Sequence, residues 1–296
     1  MRMPVIQVSA RQLPAPARSR LAGLALSAKI RLLQARRLAA WTLKPQAFAR
    51  AQRAAPGSWP HPWSQLEVQI GRSDASAHPA LEAGKRQNLA LAAQAFESLL
   101  LRPGEPLSFW RTLGRVSEAR GFRPGLEISG GCLRPAIGGG LCLLSNALFE
   151  LAVRAGVIIH ERHGHTQEAV PPQPGALWGL DATVFWPYVD LRFEVRARSR
   201  LAVSISGDSL RLRLESERPL LHRIELAAEG ERLQQTPDGL VRENRVVRRI
   251  RPLDSETLLE ESLVAENRRR LLSVEEMGRT CYSCGEDSCQ RRVEER

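Results

Sequence analysis

Four residues of types that can support nucleophilic chemistry follow one another along the chain. Cys142 comes after the turn Gly138-Gly139-Gly140-Leu141 and opens a predicted helix. Free N–H groups at a helix start favour the thiolate, which is the nucleophilic form of cysteine. His163, His165 and then Asp181 lie downstream. The sequence therefore predicts a nucleophile at Cys142, a base at His165 and an orienting group at Asp181, with His163 as the rival base.

The order of cysteine, histidine and aspartate is shared with papain-like and transglutaminase-like cysteine enzymes. Such a helix packs on a sheet whose neighbouring strands present the other two groups, and backbone amides near Gly140 and Cys142 would hold an oxyanion. Two other interpretations of Cys142 stay open. The cysteine could be an inert hydrophobe in a tight turn, or the amides of Gly138–Gly140 could grip a carboxylate or phosphate without chemistry.

A second set of cysteines lies near the end of the chain, at Cys281, Cys284 and Cys289. Thiolates at such spacing suit zinc or an iron–sulfur cluster. A fourth ligand is needed, and Cys132, His222 or an external group could supply it. Free or redox-active thiols, or disulfides, are the alternatives. The total of five cysteines is odd, which argues against a complete disulfide framework.

Positive charge is concentrated at the start of the chain. Residues 1–60 contain eleven Lys or Arg and no Asp or Glu, so the whole net charge of +11 lies there. Residues 20–43 are predicted to form a helix with an apolar stripe at spacings of three and four. The stripe could pack on the main domain or lie on an anionic membrane surface. Alternatively, the basic residues beside it could bind nucleic acid, which is the least favoured of the three partners.

The remaining periodicity predicts an α+β fold. Helices are expected over 80–101 and 143–155, and residues 54–63 read as a proline-rich linker. Strands are expected over 157–160, 183–186, 191–195, 201–205 and 210–214, the last two joined by a hairpin turn. Residues 240–272 are ambiguous between hairpin and helix, and strands are favoured for Val246–Ile250.

The predicted organisation has a helical basic N-terminal region with linker (1–63), a central helix on antiparallel sheet (64–215), a β-rich extension (216–275) and a cysteine-bearing tail (276–296). No stretch approaches the roughly 18 apolar residues that cross a bilayer, and no signal peptide is evident. A cytoplasmic protein, peripheral to a membrane through residues 1–60, is the expectation.

The sequence resembles the VanW family, named after an accessory protein of vancomycin resistance clusters, over roughly residues 85–197. The family pattern usually has Gln after the cysteine, where this chain has Leu143. Ser145 and Arg162, which lie in matching motifs, join Gly138–Gly140 as candidate binding residues. The motifs that carry the resemblance are Arg86-Gln87-Asn88-Leu89, Pro103-Gly104-Glu105-Pro106-Leu107-Ser108-Phe109-Trp110, Gly121-Phe122, Gly138-Gly139-Gly140-Leu141-Cys142, Glu161-Arg162-His163-Gly164-His165, Asp181-Ala182-Thr183-Val184 and Asp190-Leu191.

The resemblance implies a cell-envelope or peptidoglycan context. Combined with the residues above, it gives two hypotheses. One is a cysteine-dependent enzyme that transfers acyl groups or hydrolyses amides of peptidoglycan-type peptides or precursors. The other is a non-catalytic binding module that grips an anionic group at the glycine turn and docks to an anionic membrane surface or partner.

Overall fold

A computed structural model describes residues 20–45, 52–55, 57, 59–71, 78–129, 132–168, 177–237 and 239–272. Within these residues, helices and antiparallel sheets combine in one α+β arrangement, which confirms the predicted class. The α-helices are α1 (Arg20–Leu43), α2 (Pro79–Phe96), α3 (Phe109–Leu113) and α4 (Cys142–Arg154).

Strands dominate the chain between and after the helices. They are β1 (Gln52–Arg53), β2 (His61–Gln69), β3 (Leu99–Leu101), β4 (Leu107–Ser108), β5 (Pro124–Ser129), β6 (Cys132–Ile137), β7 (Ile158–Glu161), β8 (Gln167–Glu168), β9 (Arg192–Glu194), β10 (Ser199–Ser206), β11 (Ser209–Ser216), β12 (His222–Thr236), β13 (Gly239–Pro252) and β14 (Glu260–Leu271).

Two sheets carry most of the fold. The first has the strand order β1-β3-β10-β11-β2 and is antiparallel throughout. The second has the order β12-β13-β14-β8, in which only the β14–β8 pair is parallel. A three-stranded sheet, β4-β9-β7, and the hairpin β5-β6 complete the described strands. Helices α2 and α4 pack on the first sheet, and α4 also contacts β7 and β12.

Apolar periodicity explains why α4 lies where it does. Its predicted inner face of Leu144, Leu148, Leu151 and Ala152 is fully buried, as a helix covering a sheet requires. Gly156 follows the helix with φ of +67°, the left-handed conformation that commonly ends helices at glycine. The helix spans Cys142–Arg154, within one residue of the predicted bounds at each end.

Several predictions need correction in detail. The helix expected to reach residue 101 ends at Phe96, and Leu99–Leu101 form buried β3 in the first sheet. An apolar run of this length suits either element, and only its sheet partners decide. The expected linker is shorter because β2 begins at His61. Residues 183–186 form only a bridge between Phe185 and Val189.

Other predictions are confirmed. Strands β10 and β11 form the expected hairpin, with Gly207 in its turn at φ of +59°. Leucines of β11 point inward and Arg211 and Arg213 outward, as alternation indicates. Strands β13 and β14 settle the ambiguous 240–272 segment as a hairpin. The papain-like or transglutaminase-like arrangement stays a prediction, as do the domain boundaries, and the tail lies outside the described residues.

Helix α1 has the predicted bounds but turns its apolar stripe away from the protein. Gln34 donates to the Trp186 carbonyl (3.1 Å), and Trp41 packs edge-on against the Trp186 ring, with centroids 5.4 Å apart. Arg37 makes two hydrogen bonds to Glu161, of 2.8 and 2.6 Å. The surface beneath α1 offers carbonyls and a carboxylate, so the polar and aromatic face of the helix docks there. The expectation that the apolar stripe packs on the domain is therefore wrong, because the opposite face of α1 makes these contacts.

Candidate functional site

The glycine turn before Cys142 is anchored by close backbone packing. Gly139 lies against Gly125 of β5 so tightly that a Cβ atom on either residue would come within 3.0 Å of the other's backbone. Buried Asn88 of α2 donates to the carbonyls of Gly139 (3.0 Å) and Arg123 (2.9 Å). Gly138 has φ of +80°, which favours glycine. Packing and conformation together explain this run of glycines.

The backbone amides of the turn are not equivalent. The N–H groups of Gly138 and Gly139 donate to backbone carbonyls at 3.0 and 2.8 Å. The N–H groups of Gly140 and Cys142 have no backbone acceptor among the described residues. A grip on an anion by three glycine amides would thus have to compete with two existing hydrogen bonds. Gly140 and Cys142 retain donors at the positive end of α4.

Cys142 is half-buried at the first position of α4. Its Sγ lies 4.0 Å from the Thr183 hydroxyl. Burial raises the pKa of the thiol, but a hydrogen bond and positive charge from His165, the backbone N–H of Val184 and the Thr183 hydroxyl outweigh burial and lower the pKa below its usual value. The surroundings of Cys142 therefore favour the thiolate.

His165 pairs with a buried carboxylate. Its Nδ1 lies 2.5 Å from Asp181 Oδ2, and its backbone N–H donates to the same oxygen at 2.8 Å. Arg162 donates to Asp181 Oδ1 at 2.9 Å, and Arg269 of β14 donates to Oδ1 as well. Four donors on two oxygens suit an ionised carboxylate, which only accepts. The contact at Nδ1 leaves Nε2 of His165 for Cys142.

Buried polar residues from the second sheet support Asp181 from behind. Asn267 of β14 accepts from Arg162 at 2.8 Å and donates to Asn244 of β13 at 2.8 Å. Asn244 donates in turn to the Trp178 carbonyl at 2.9 Å. Burial lowers the pKa of Arg162 to about 10, and burial with the charge of Arg162 lowers that of Arg269 to about 9. Both guanidiniums therefore stay charged at neutral pH.

Helix α4 also holds the segment that carries Asp181. Fully buried Ser145 donates to the Ala182 carbonyl at 2.6 Å, and Asn146 accepts from the Ala182 N–H at 2.9 Å. The Thr183 N–H donates to the His163 carbonyl at 2.8 Å, which ties the histidine loop to the same segment. The cysteine, histidine and aspartate thus lie on three segments linked by hydrogen bonds.

The structure brings together Cys142, His165 and Asp181. The ring of His163 turns away to Glu161, with Nε2 to Oε1 at 3.1 Å. The candidate binding residues Ser145 and Arg162 are engaged behind the site, where they position its members. Sequence reasoning missed Thr183, Asn267 and Arg269. Thr183 follows Asp181 by two residues, a spacing that could have suggested it, but the two β14 residues have no local signal.

Comparison with known proteins bears on this region. Residues 84–215, which contain the cysteine, both histidines and the aspartate, match the family model described as VanW like protein. This part of the chain is similar to the VanW family. The resemblance inferred from the sequence motifs is therefore confirmed. Leu143, at the position where the family pattern usually has Gln, packs half-buried against the core.

Two curated relatives align with about a third of the chain. The Vancomycin B-type resistance protein VanW of Enterococcus faecalis is 36% identical over 106 residues, which cover 36% of this chain and 38% of that protein. The Uncharacterized protein YoaR of Bacillus subtilis is 35% identical over 112 residues, which cover 37% of this chain and 35% of that protein. The chain thus spans little more than a third of each relative's length. No solved structure is significantly similar to it.

The predicted metal ligands fall largely outside the described residues. Cys281, Cys284 and Cys289 lie beyond residue 272, and the side chain of Cys132 in β6 is not described. Across the described ranges, no group of three His, Cys, Asp or Glu side chains is placed to hold a metal ion. The zinc or iron–sulfur site at the tail stays a prediction. No helix in the described part of the chain is long and apolar enough to cross a membrane.

A buried pair of acidic residues, Glu161 and Asp190, lies beneath α1. Burial would raise the pKa of Glu161, but hydrogen bonds and charges from His163 and Arg37 lower it to about 2. Burial and the charge of Glu161 raise the pKa of Asp190 to about 7. Asp190 accepts from the Ser108 hydroxyl at 2.5 Å, and its own N–H donates to Glu161 at 3.2 Å. One carboxyl of the pair is thus ionised across a wide pH range, while the other titrates near neutrality.

We expect the stability of Asp190→Asn, relative to that of wild type, to increase as the pH rises. The folded-state pKa of Asp190 is raised from 3.8 to about 7, so its contribution to stability is full below about pH 4 and is lost as the pH rises through about 7. Asparagine cannot ionise and keeps an acceptor for the Trp110 N–H. The difference in unfolding free energy, variant minus wild type, should rise by about 2–3 kcal/mol between pH 5 and pH 8.

Urea denaturation at the two pH values measures this difference. The exposed Asp254 offers a matched control, because Asp254→Asn removes the same charge without burial, and its effect should not vary with pH in this way. Equal values for Asp190→Asn at pH 5 and pH 8 would contradict the raised pKa.

Proposed function

We propose that the protein is a cysteine-dependent acyl-transfer or amide-hydrolysing enzyme, with Cys142 as nucleophile, His165 as general base and Asp181 as orienting group. The observation that carries the proposal is the pairing of His165 Nδ1 with the buried Asp181 carboxylate, beside a thiol whose pKa the same histidine lowers. Cys142 is half-buried and the His165 side chain is 29% exposed, whereas the Asp181 side chain is only 10% exposed. A substrate could reach the sulfur while Asp181 stays shielded from water.

The chemistry follows from this arrangement. The Cys142 thiolate attacks a carbonyl carbon, and a carbon–sulfur bond forms while the carbonyl oxygen becomes negative. The N–H groups of Gly140 and Cys142 would stabilise that oxygen. The carbon–nitrogen bond then breaks, and protonated His165 gives its proton to the leaving amine. Water or an acceptor amine attacks the resulting thioester and passes a proton to His165, and the thiolate leaves.

Asp181 fixes the role of His165 in these steps. By accepting from Nδ1, the carboxylate fixes the ring orientation and the tautomer in which Nε2 is the nitrogen that can take a proton from the thiol. It also stabilises the imidazolium that exists while the thiolate is present. Arg162 and Arg269 hold the carboxylate in place, so they are positioning residues and not catalytic ones.

The substrate class in this proposal comes from family resemblance. One relative is named a vancomycin B-type resistance protein, and this resemblance supports the proposal of a cell-envelope context. Peptidoglycan-type peptides offer the amide carbonyls that the proposed chemistry requires. We therefore propose such peptides or their precursors as substrates, with half-buried Leu143 making the region beside the sulfur more apolar than glutamine would.

Thiol reactivity tests the activated cysteine directly. Alkylation by iodoacetamide at pH 6, followed residue by residue with peptide mass spectrometry, should label Cys142 at least about tenfold faster than free glutathione, because its pKa is lowered. His165→Ala should bring the rate close to that of glutathione. His163→Ala should leave it largely unchanged, since that ring contacts Glu161.

His160 is a matched control for His165. It is similarly exposed, at 31%, and pairs with Glu194 at 2.9 Å, so His160→Ala removes an imidazole–carboxylate pair away from the thiol. Its labelling rate should match wild type. A Cys142 that reacts no faster than glutathione would contradict the activated thiol.

Covalent trapping distinguishes chemistry from binding. Incubation with peptidoglycan-type peptides should add an acyl mass to the Cys142 peptide of wild type, and Cys142→Ala should show neither that mass nor peptide turnover. Peptide that binds wild type and Cys142→Ala equally, with no turnover by either, would favour the binding-module hypothesis.

A further inference from the structure

We propose that α1 docks this protein onto an anionic membrane surface through the apolar stripe on its outer face. The outer stripe consists of residues at spacings of three and four, which puts them on one side of a helix. All six are exposed, and the three leucines are 68%, 61% and 79% exposed. Its members are Leu24, Ala28, Leu32, Ala35, Ala39 and Leu43.

The opposite face of the helix is held by the protein. The hydrogen bonds of Gln34 and Arg37 and the ring contact of Trp41 fasten that face to the loop at Trp186 and to Glu161. Because α1 is attached through this face, the outer stripe on the opposite face is exposed to solvent. Contiguous exposed apolar surface of this kind marks an interaction site more often than single exposed leucines do.

Charge identifies the chemistry of the surface that fits the outer stripe. At 100° per residue, exposed Lys29 and Arg36 lie along one side of the stripe and exposed Arg31 along the other. Residues 1–60 contain no Asp or Glu to offset them. An apolar face bordered by basic side chains is the arrangement of helices that lie in the interface of anionic bilayers.

Other occupants match the helix less well. Nucleic acid binding depends on basic groups that meet phosphates, and the centre of this face is leucine and alanine. A second copy of the chain would bring the same basic border against itself, which costs Coulomb energy. An anionic bilayer accepts both features, because acyl chains take up the leucines and headgroups pair with the lysine and arginines.

Co-sedimentation with vesicles tests the proposal. The full chain should bind vesicles of phosphatidylcholine with 30 mol% phosphatidylglycerol at least about tenfold more tightly than vesicles of phosphatidylcholine alone. Leu24→Gln/Leu32→Gln should weaken binding to the anionic vesicles by about tenfold or more. Glutamine keeps the net charge and a similar helix propensity, so the change isolates the apolar contribution. Arg31→Gln/Arg36→Gln should weaken the same binding and reduce its dependence on salt.

The control is a matched pair of exposed leucines elsewhere. Leu221 and Leu233 are 65% and 60% exposed, so Leu221→Gln/Leu233→Gln makes the same chemical change away from α1 and should bind as wild type does. Circular dichroism of each variant checks that the fold is kept. The proposal is overturned if wild type prefers neither vesicle, or if Leu24→Gln/Leu32→Gln binds as wild type does. A wild-type dimer that this variant converts to monomer, without vesicle binding, would identify a second copy as the occupant instead.

Discussion

Replacement of Asp181 by alanine is expected to lower the free energy of unfolding by about 3–5 kcal/mol. The carboxylate is the anionic partner of two guanidiniums, Arg162 and Arg269, whose side chains are only 9% and 8% exposed. Without it, two positive charges remain buried side by side, with the neutral amide oxygen of Asn267 between them. Breaking a buried pair by removing one partner costs far more than the pair contributes in net terms.

Asparagine is not a mild alternative at this position. Each oxygen of Asp181 already accepts two hydrogen bonds, from His165 on one side and from the two arginines on the other. The NH₂ group of Asp181→Asn would face donors whichever way the amide turned. We therefore expect Asp181→Asn also to be destabilising, although less than alanine because one acceptor oxygen is kept.

An exposed aspartate–arginine pair supplies the comparison. Asp208 accepts from Arg86 at 2.5 Å, but the two side chains are 69% and 41% exposed. Asp208→Ala should cost no more than about 1 kcal/mol. Urea denaturation of wild type, Asp181→Ala and Asp208→Ala measures both effects. Equal losses for Asp181→Ala and Asp208→Ala would mean that the buried arginines find other partners.

A second large effect is expected at Gly139. A Cβ atom there would come within 3.0 Å of three backbone atoms of Gly125, including the carbonyl carbon and oxygen. Backbone cannot swing aside as a flexible side chain can, so Gly139→Ala must push the turn away from β5. We expect a loss of about 3 kcal/mol or more, at the upper end of overpacking effects, together with a slower alkylation of Cys142 because the start of α4 shifts.

Gly57 provides the control for this substitution. Among the described residues, a Cβ atom there would meet only the Ala55 carbonyl, at 3.9 Å, and the φ of Gly57 is not in the left-handed range. Gly57→Ala should therefore leave the unfolding free energy and the alkylation rate close to those of wild type. A Gly139→Ala protein that is as stable as Gly57→Ala would show that the turn has room to relax.

Local patterns predicted what local forces determine. The bounds of α1, the buried face of α4 and the hairpin of β10 and β11 follow from periodicity and turn residues, which act over a few positions. The order of Cys142, His165 and Asp181 could likewise be found along the chain, because each residue sits in a short motif. Their mutual distances could not, since these depend on how α4 and the two loops pack.

The remaining features depend on contacts between distant segments. Arg269 and Asp181 are 88 residues apart, and Arg37 and Glu161 are 124 apart. An arginine in a strand has the same local pattern whether it meets water or a buried carboxylate. The prediction for the orientation of α1 was wrong for a related reason. Periodicity shows that an apolar stripe exists, but it does not show which face of the helix packs against the rest of the protein.

The contribution of β13 and β14 to Asp181 sets a limit on modular use of this protein. The family match ends at residue 215, yet Asn244, Asn267 and Arg269 lie beyond it. A fragment excised at the family boundaries would keep Cys142, His165 and Asp181 but lose half the cationic support of the carboxylate. Chimaeras with a relative that are joined near residue 215 would meet the same problem. The smallest fragment that keeps all of these contacts to Asp181 therefore has to extend through β14.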